Sequence, residues 1–273
     1  MDQVRCAAPL RVPRPHGPWQ GVKENLTGLG NAVVHTTWSE WLPSVLTTPR
    51  LRELLGPDWD RYRRTPDATV RYRFAAARLL IKYTAAAALG IPPEYLDLAY
   101  RLGGRPYLRG FDQIELSLSH TGDLMAVGLS RTGRIGVDVE PAGRNVRLEL
   151  LEAQILTPAE AAEIAGLPEA ERVPYALKLW TLKEAYSKAL GQGLRLGFKE
   201  FGFKESGPTG ARLHAADGSA ATRGEWGFAT HPVMGRYLLS TACHDAGLHT
   251  ANDTSVGTML DRGFLSAMNQ SAS

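Results

Sequence analysis

The sequence predicts an α+β protein built from two related halves. Three observations carry that prediction. Each half runs helix first and strands afterwards, and each long helical stretch closes on a glycine, Gly90 or Gly191. A strand–histidine–turn–strand order also appears twice, at His120 and again at His231. With 273 residues, 44% hydrophobic and 22% charged, the chain can fill one large core or two small ones.

Residues 1–30 mix Pro, Gly and Arg without periodicity and are expected to form a flexible extension. A first subdomain is expected over 31–140, a second over 141–247, and a disordered Ser/Asn/Thr-rich tail over 248–273. Within the first, Thr48-Pro49 reads as the start of a short helix that Gly56 stops. Thr65-Pro66-Asp67 opens a longer one, in which Phe74, Ala77, Ile81 and Ala88 recur at helical spacing up to Gly90. Strands are then expected at 114–118, 124–129 and 135–140, joined by Thr121-Gly122-Asp123 and Arg131-Thr132-Gly133 as an antiparallel meander. In the second half Thr157-Pro158 caps a helix, and Pro174 starts another that runs to Leu190. Strands at 226–230 and 237–242 close the fold.

Several function classes are excluded. The arginines and prolines of the first thirty residues interrupt any apolar run, so no signal peptide is expected. The most apolar stretch, 74–91, carries Arg78 and Lys82 and is not a membrane span. Cys6 and Cys243 are the only cysteines, too few for a disulfide framework or a cysteine zinc site, and a cytoplasmic protein is expected. Net charge is only +3, yet Arg61, Arg63, Arg64, Arg71, Arg73 and Arg78 crowd one segment. Such a cluster suits a phosphate-rich ligand or an acidic protein partner, and equally a solvated face. Charge alone would admit nucleic acid, but no nucleic-acid motif is present.

The chemistry-bearing positions are acidic. Asp138 and Glu140 stand two apart on an expected strand, so both leave from one face while Val137 and Val139 point to the core. Paired carboxylates repel unless a cation or proton neutralises them, and hard oxygens on a rigid strand suit Mg2+. A bare Asp-x-Glu is more often the solvated end of an edge strand. Trp180, Glu184 and Lys188 form one helical stripe, which by itself could be an ordinary Glu–Lys pair.

Taken together, Ser117-Leu118-Ser119-His120-Thr121-Gly122, Gly136-Val137-Asp138-Val139-Glu140 and Trp180-Thr181-Leu182-Lys183-Glu184-Ala185-Tyr186-x-Lys188-x-x-Gly191-x-Gly193-Leu194 resemble the 4′-phosphopantetheinyl transferases. The two-subdomain, surfactin-synthetase-activating type is the nearest pattern. Gly103-Gly104-Arg105-Pro106-Tyr107 is similar to that type's Gly-Lys-Pro stretch, with arginine for lysine. The blocks cover about Phe74 to Phe203, in the family's order. The resemblance implies a pseudo-twofold pair of α+β subdomains with coenzyme A in the cleft between them. It implies transfer of the phosphopantetheine arm to a serine of an apo acyl or peptidyl carrier protein, the reaction of a holo-carrier synthase.

Matched residue by residue, Asp138, Glu140 and Glu184 would hold Mg2+, or Mn2+ in its place. Glu184 would also help to remove the carrier serine's proton, directly or through water. Lys188 would neutralise the breaking pyrophosphate, with Lys183 nearby. Ser119 and His120 would contact the nucleotide phosphates, Arg105-Pro106 would line the adenine end, and Arg73 would touch phosphate. Arg61 and Arg64 are looser matches. Phosphoryl transfer depends on positioning and charge neutralisation, and the attacking oxygen belongs to the carrier, so no protein nucleophile is required. The expected protein is monomeric, with neither membrane nor nucleic acid as partner. A non-catalytic coenzyme-binding regulator and a Mg2+-dependent phosphodiesterase are the competing functions.

Overall fold

Two sheets packed face to face, each backed by helices, carry the chain. The computed structural model describes residues 4–193, 196–222 and 224–245. The first half contains β1 (Leu10–Arg11), α1 (Gln20–Leu29), β2 (Asn31–Thr37), α2 (Trp38–Thr47), α3 (Leu51–Leu55), α4 (Trp59–Arg64) and α5 (Ala68–Leu89). After it come β3 (Leu98–Tyr100), β4 (Pro106–Leu108), β5 (Glu115–Thr121) and β6 (Leu124–Ser130). The second half contains β7 (Ile135–Pro141), α6 (Leu148–Gln154), α7 (Pro158–Ala165) and α8 (Glu169–Leu190). It ends with β8 (Phe201–Ser206), β9 (Gly210–Ala215), β10 (Trp226–Val233) and β11 (Tyr237–His244). The sheet orders are β1-β2-β6-β5 and β7-β11-β10-β9-β8, with β3-β4 a separate ribbon.

The two long helices begin and end where local chemistry directs. The Asp67 carboxylate accepts from the Val70 amide and caps α5, and Gly90, at φ 69°, terminates it. Ala77, Ile81, Thr84 and Ala88 form its buried stripe. Gly191, at φ 70°, ends α8 in the same way. Thr157 and Glu160 make a reciprocal capping box on α7.

Four expectations differ from what is found. Thr48 does not open a helix; it caps the C-terminus of α2, its amide bonded to the Ser44 carbonyl, and the next helix begins at Leu51. The last helix starts at Glu169 rather than Pro174, because Pro168 and two first-turn glutamates favour an earlier N-terminus. The expected flexible extension is tied down over residues 4–30. Leu10 pairs with Val34, the Trp41 indole N–H donates to the Val12 carbonyl at 2.9 Å, and Val22 and Leu26 enter the core. Its proline- and glycine-rich composition concealed contacts that only distant partners supply. The expected tail over 248–273 lies outside the described residues.

The fourth difference sets up the site. The strand at 135–140 does not complete a meander with β5 and β6. It crosses to the second sheet and pairs antiparallel with β11, Asp138 opposite Ser240. The halves then match: β2 pairs with β6 and β6 with β5, as β7 pairs with β11 and β11 with β10. Each half therefore contributes a matching strand, β2 or β7, a 22-residue helix and a closing hairpin. The topological division falls before β7, not after Glu140. Val33, Leu124 and Ala126 meet Ile135, Val137, Val139 and Leu239 between the sheets. The sheets approach closely at Gly128, where an added Cβ would stand 2.8 Å from Val137 Cγ1.

Candidate functional site

The site forms on the seam where β5, β7 and the C-terminal end of α8 converge. Alternation on β7 sends Val137 and Val139 between the sheets and turns Gly136 and Asp138 toward α8. Gly136 lets the helix lie directly on the strand: a Cβ there would be 1.9 Å from the Ala185 carbonyl oxygen and 2.5 Å from the Ala189 amide nitrogen. That approach brings the Lys188 ammonium to 2.6 Å from Asp138 Oδ1 and 2.9 Å from Ser119 Oγ. Ser119 in turn donates to Asp138 Oδ1 at 3.0 Å. The neighbouring Ser117 hydroxyl accepts the Val137 amide, which pins β5 to β7.

Asp138 is only 6% exposed, and its second oxygen, Oδ2, is buried with no hydrogen-bond partner among the described residues. An ionised carboxylate oxygen left in this state is costly unless something cationic reaches it. Glu140 pairs with Arg144, one turn beyond the strand. Burial raises the Glu140 pKa, Arg144 opposes the rise, and Asp138 adds to it. Burial raises the Glu184 pKa too, reinforced by Asp138 and Glu140 and opposed by Lys188. Asp138 and Glu140 thus both disfavour the charge on Glu184 across the seam. The three acids are not pre-assembled as a cage: no group of three or more His, Cys, Asp or Glu in metal-holding array occurs among the described residues. Lys188 and Arg144 partly neutralise the acids instead. The hard-oxygen donor set and the orphaned Oδ2 nevertheless fit a divalent cation.

Beside the seam opens a cavity of about 530 Å3 between the halves. The first half supplies Arg78, Tyr100 and His120, the second Lys188 and Gly191, and the Gly103–Pro106 loop closes one side. Pro106 is buried in that wall. Arg78 is aimed by its surroundings. Asp58 accepts its Nε at 3.0 Å and the Tyr100 hydroxyl at 2.5 Å, and its guanidinium stacks on Phe74 and Tyr100. His120 keeps an exposed edge, yet the crowded wall lowers its pKa, as do Arg73, Lys188 and Arg78 in turn. Arg73 is near enough to His120 to act on it through its charge, but it does not line the cavity. Arg61 is exposed and stacks over Phe74, next to Arg78. Arg64 is exposed on α4 and does not line the cavity.

Two expected ligand contacts are corrected. Lys183 faces away from the cavity and is 0% exposed in the second core. Its ammonium donates to the Ile155, Phe198 and Phe201 carbonyls and to Glu160, all at 2.7 to 2.8 Å. Five residues separate it from Lys188, so the two sit on different faces of α8. Arg105 borders the cavity, but its two Nη atoms are taken up by protein: Lys188 O, Ala189 O, Glu115 and Ile135 O. Ser119 is buried and held by Asp138 and Lys188, and it does not line the cavity. The sequence reading left Tyr100 and Asp58 out of the site. Their signal was long-range, since they lie 22 and 20 residues from Arg78 in opposite directions along the chain.

A family model described as the 4′-phosphopantetheinyl transferase superfamily matches residues 134–242, the span from β7 to β11. The chain is 32% identical over 127 residues to the 4′-phosphopantetheinyl transferase HetI of Nostoc sp., covering 45% of this chain and 54% of that one. It is 28% identical over 200 residues to a phosphopantetheinyl transferase of Thraustochytrium sp., covering 67% and 68%. It is 26% identical over 161 residues to the 4′-phosphopantetheinyl transferase psf-1 of Bacillus pumilus, covering 59% and 66%. The aligned segments therefore span between about half and two thirds of these relatives' lengths.

Proposed function

We propose that the chain is a 4′-phosphopantetheinyl transferase, the superfamily its second half matches, and that it transfers the phosphopantetheine arm of coenzyme A to a serine of an apo acyl or peptidyl carrier protein. The observation that carries this reading is Lys188, which lines the inter-half cavity and joins Asp138 and Ser119 behind it, where the second Asp138 oxygen is buried without a partner among the described residues. In the reaction the carrier serine oxygen bonds to the phosphorus bearing pantetheine. The bond from that phosphorus to the bridging pyrophosphate oxygen breaks, and adenosine 3′,5′-bisphosphate leaves. Lys188 neutralises charge developing on the leaving oxygens. Glu184 accepts the serine proton directly or through one water. Arg78 and His120 form the basic wall that takes the nucleotide phosphates, with the Arg73 charge near His120.

Asp138, Glu140 and Glu184 are the residues that would hold Mg2+. When bound, such an ion supplies Lewis-acid neutralisation of the pyrophosphate. No helix among the described residues is long and apolar enough to cross a membrane. The test is mass spectrometry of several apo carriers incubated with the protein, coenzyme A and Mg2+. A gain equal to the phosphopantetheine arm on the carrier serine is expected. Coenzyme A bound unchanged, or hydrolysed, with no carrier gaining mass would overturn the assignment.

A further inference from the structure

We propose that Arg105 is a positioning residue: its guanidinium ties the end of α8 to the starts of β5 and β7 and so fixes the Lys188 ammonium at the reacting phosphates. The proposal rests on the transfer reaction above and deepens it. From Nη1 the guanidinium donates to the Lys188 and Ala189 carbonyls at 2.5 and 2.9 Å. From Nη2 it donates to Glu115 at 2.6 Å and to the Ile135 carbonyl at 3.1 Å. Each contact sits on a site residue or within four positions of one. Glu115 precedes Ser119 by four positions on β5, Ile135 precedes Asp138 by three on β7, and Lys188 carries its own ammonium. One planar group therefore sets the spacing of the three elements whose side chains meet at Asp138 Oδ1.

The physical chemistry favours arginine here. The last carbonyls of a helix lack intrahelical partners, and its C-terminal end carries partial negative charge, so a cation with several donors satisfies both. A guanidinium presents two nitrogen faces in a rigid fork. A lysine ammonium presents three hydrogens on a single nitrogen and cannot reach all four acceptors at once. The side chain is 15% exposed, which leaves its bonds little competition from water.

The test compares Arg105→Lys and Arg105→Ala with the wild-type full-length protein. Steady-state transfer to an apo carrier is measured against coenzyme A concentration, with coenzyme A affinity by calorimetry and hydrogen exchange at the amides of 187–193. Arg105→Lys is expected to lower kcat by about thirtyfold or more, since displacement of a catalytic cation by about 1 Å has that scale of effect. KM and Kd for coenzyme A stay within about threefold, and exchange at the helix end quickens. Added guanidinium restores part of kcat to Arg105→Ala. A tenfold rise in KM and Kd with kcat unchanged would mean direct ligand contact and overturn the proposal. So would wild-type kcat in the folded fraction of a merely destabilised variant, or unchanged exchange in Arg105→Lys. If the wild type modifies no carrier, the transfer reading fails by itself. The affinity and exchange measurements then decide Arg105: faster exchange at constant Kd supports its tie to α8, and unchanged exchange refutes it.

Discussion

Gly136→Ala tests whether the close approach of α8 to β7 is what assembles the site. The added Cβ would lie 1.9 Å from the Ala185 oxygen, whereas ordinary contact begins near 3.4 Å. Both obstacles are helix backbone, so no side chain can turn aside; the helix must lift by about 1.5 Å along that line. Overpacking of a close-packed interior typically costs about 1–3 kcal/mol. The displacement also exceeds what the Lys188–Asp138 bond can absorb, since 2.6 Å would stretch past hydrogen-bonding range. The expected result is a urea-unfolding free energy lower by about 2 kcal/mol. Transfer activity should fall by about a hundredfold in the folded protein. A variant with wild-type stability and wild-type kcat would show that the helix–strand contact does not govern the site.

Lys183→Met leaves the Glu160 carboxylate and three carbonyls buried without their cation, so unfolding should become easier by about 3–5 kcal/mol. Adding Glu160→Gln should recover part of that loss; a single-variant change below about 1 kcal/mol in denaturant titration contradicts the account. His35 is buried on β2 with Nδ1 unpartnered among the described residues, and burial, then Arg11, lowers its pKa to about 4. The unfolded chain therefore binds the proton more readily, and stability present above about pH 6.5 is lost as pH falls toward 4. About 2 kcal/mol of it should be gone by pH 5. Equal pH slopes for wild type and His35→Leu between pH 6.5 and 5 would argue against this source. Asp138→Asn keeps the shape but removes the charge facing Lys188; transfer should drop by about a hundredfold or more with little change in melting temperature. Activity within threefold of wild type would remove Asp138 from the machinery.

Much of this protein was legible in its sequence because the controlling interactions are local. Asp67 and Gly90 delimit α5, Thr157 and Glu160 start α7, and Gly191 ends α8, each through hydrogen bonds within four residues. Strand alternation alone put Asp138 on the face opposite Val137 and Val139. Helical spacing alone set Glu184 and Lys188 on one stripe, and the ordered blocks around them carried the family resemblance.

Tertiary structure decided what depended on partners distant in the chain. β7 left the expected meander because its hydrogen-bonding partner, β11, lies about a hundred residues further on, and turn chemistry at 131–133 has no bearing on that choice. Residues 4–30 became part of the core through β2 and Trp41. Lys183 and Lys188 look alike as charges in one motif, yet burial separates a buttress of the second core from the cation at the seam. Arg105 stands in a loop that reads as ligand-binding, and only the convergence of β5, β7 and α8 reveals that its donors are already engaged. A side chain's direction follows from local geometry; what it meets is fixed by how distant segments pack.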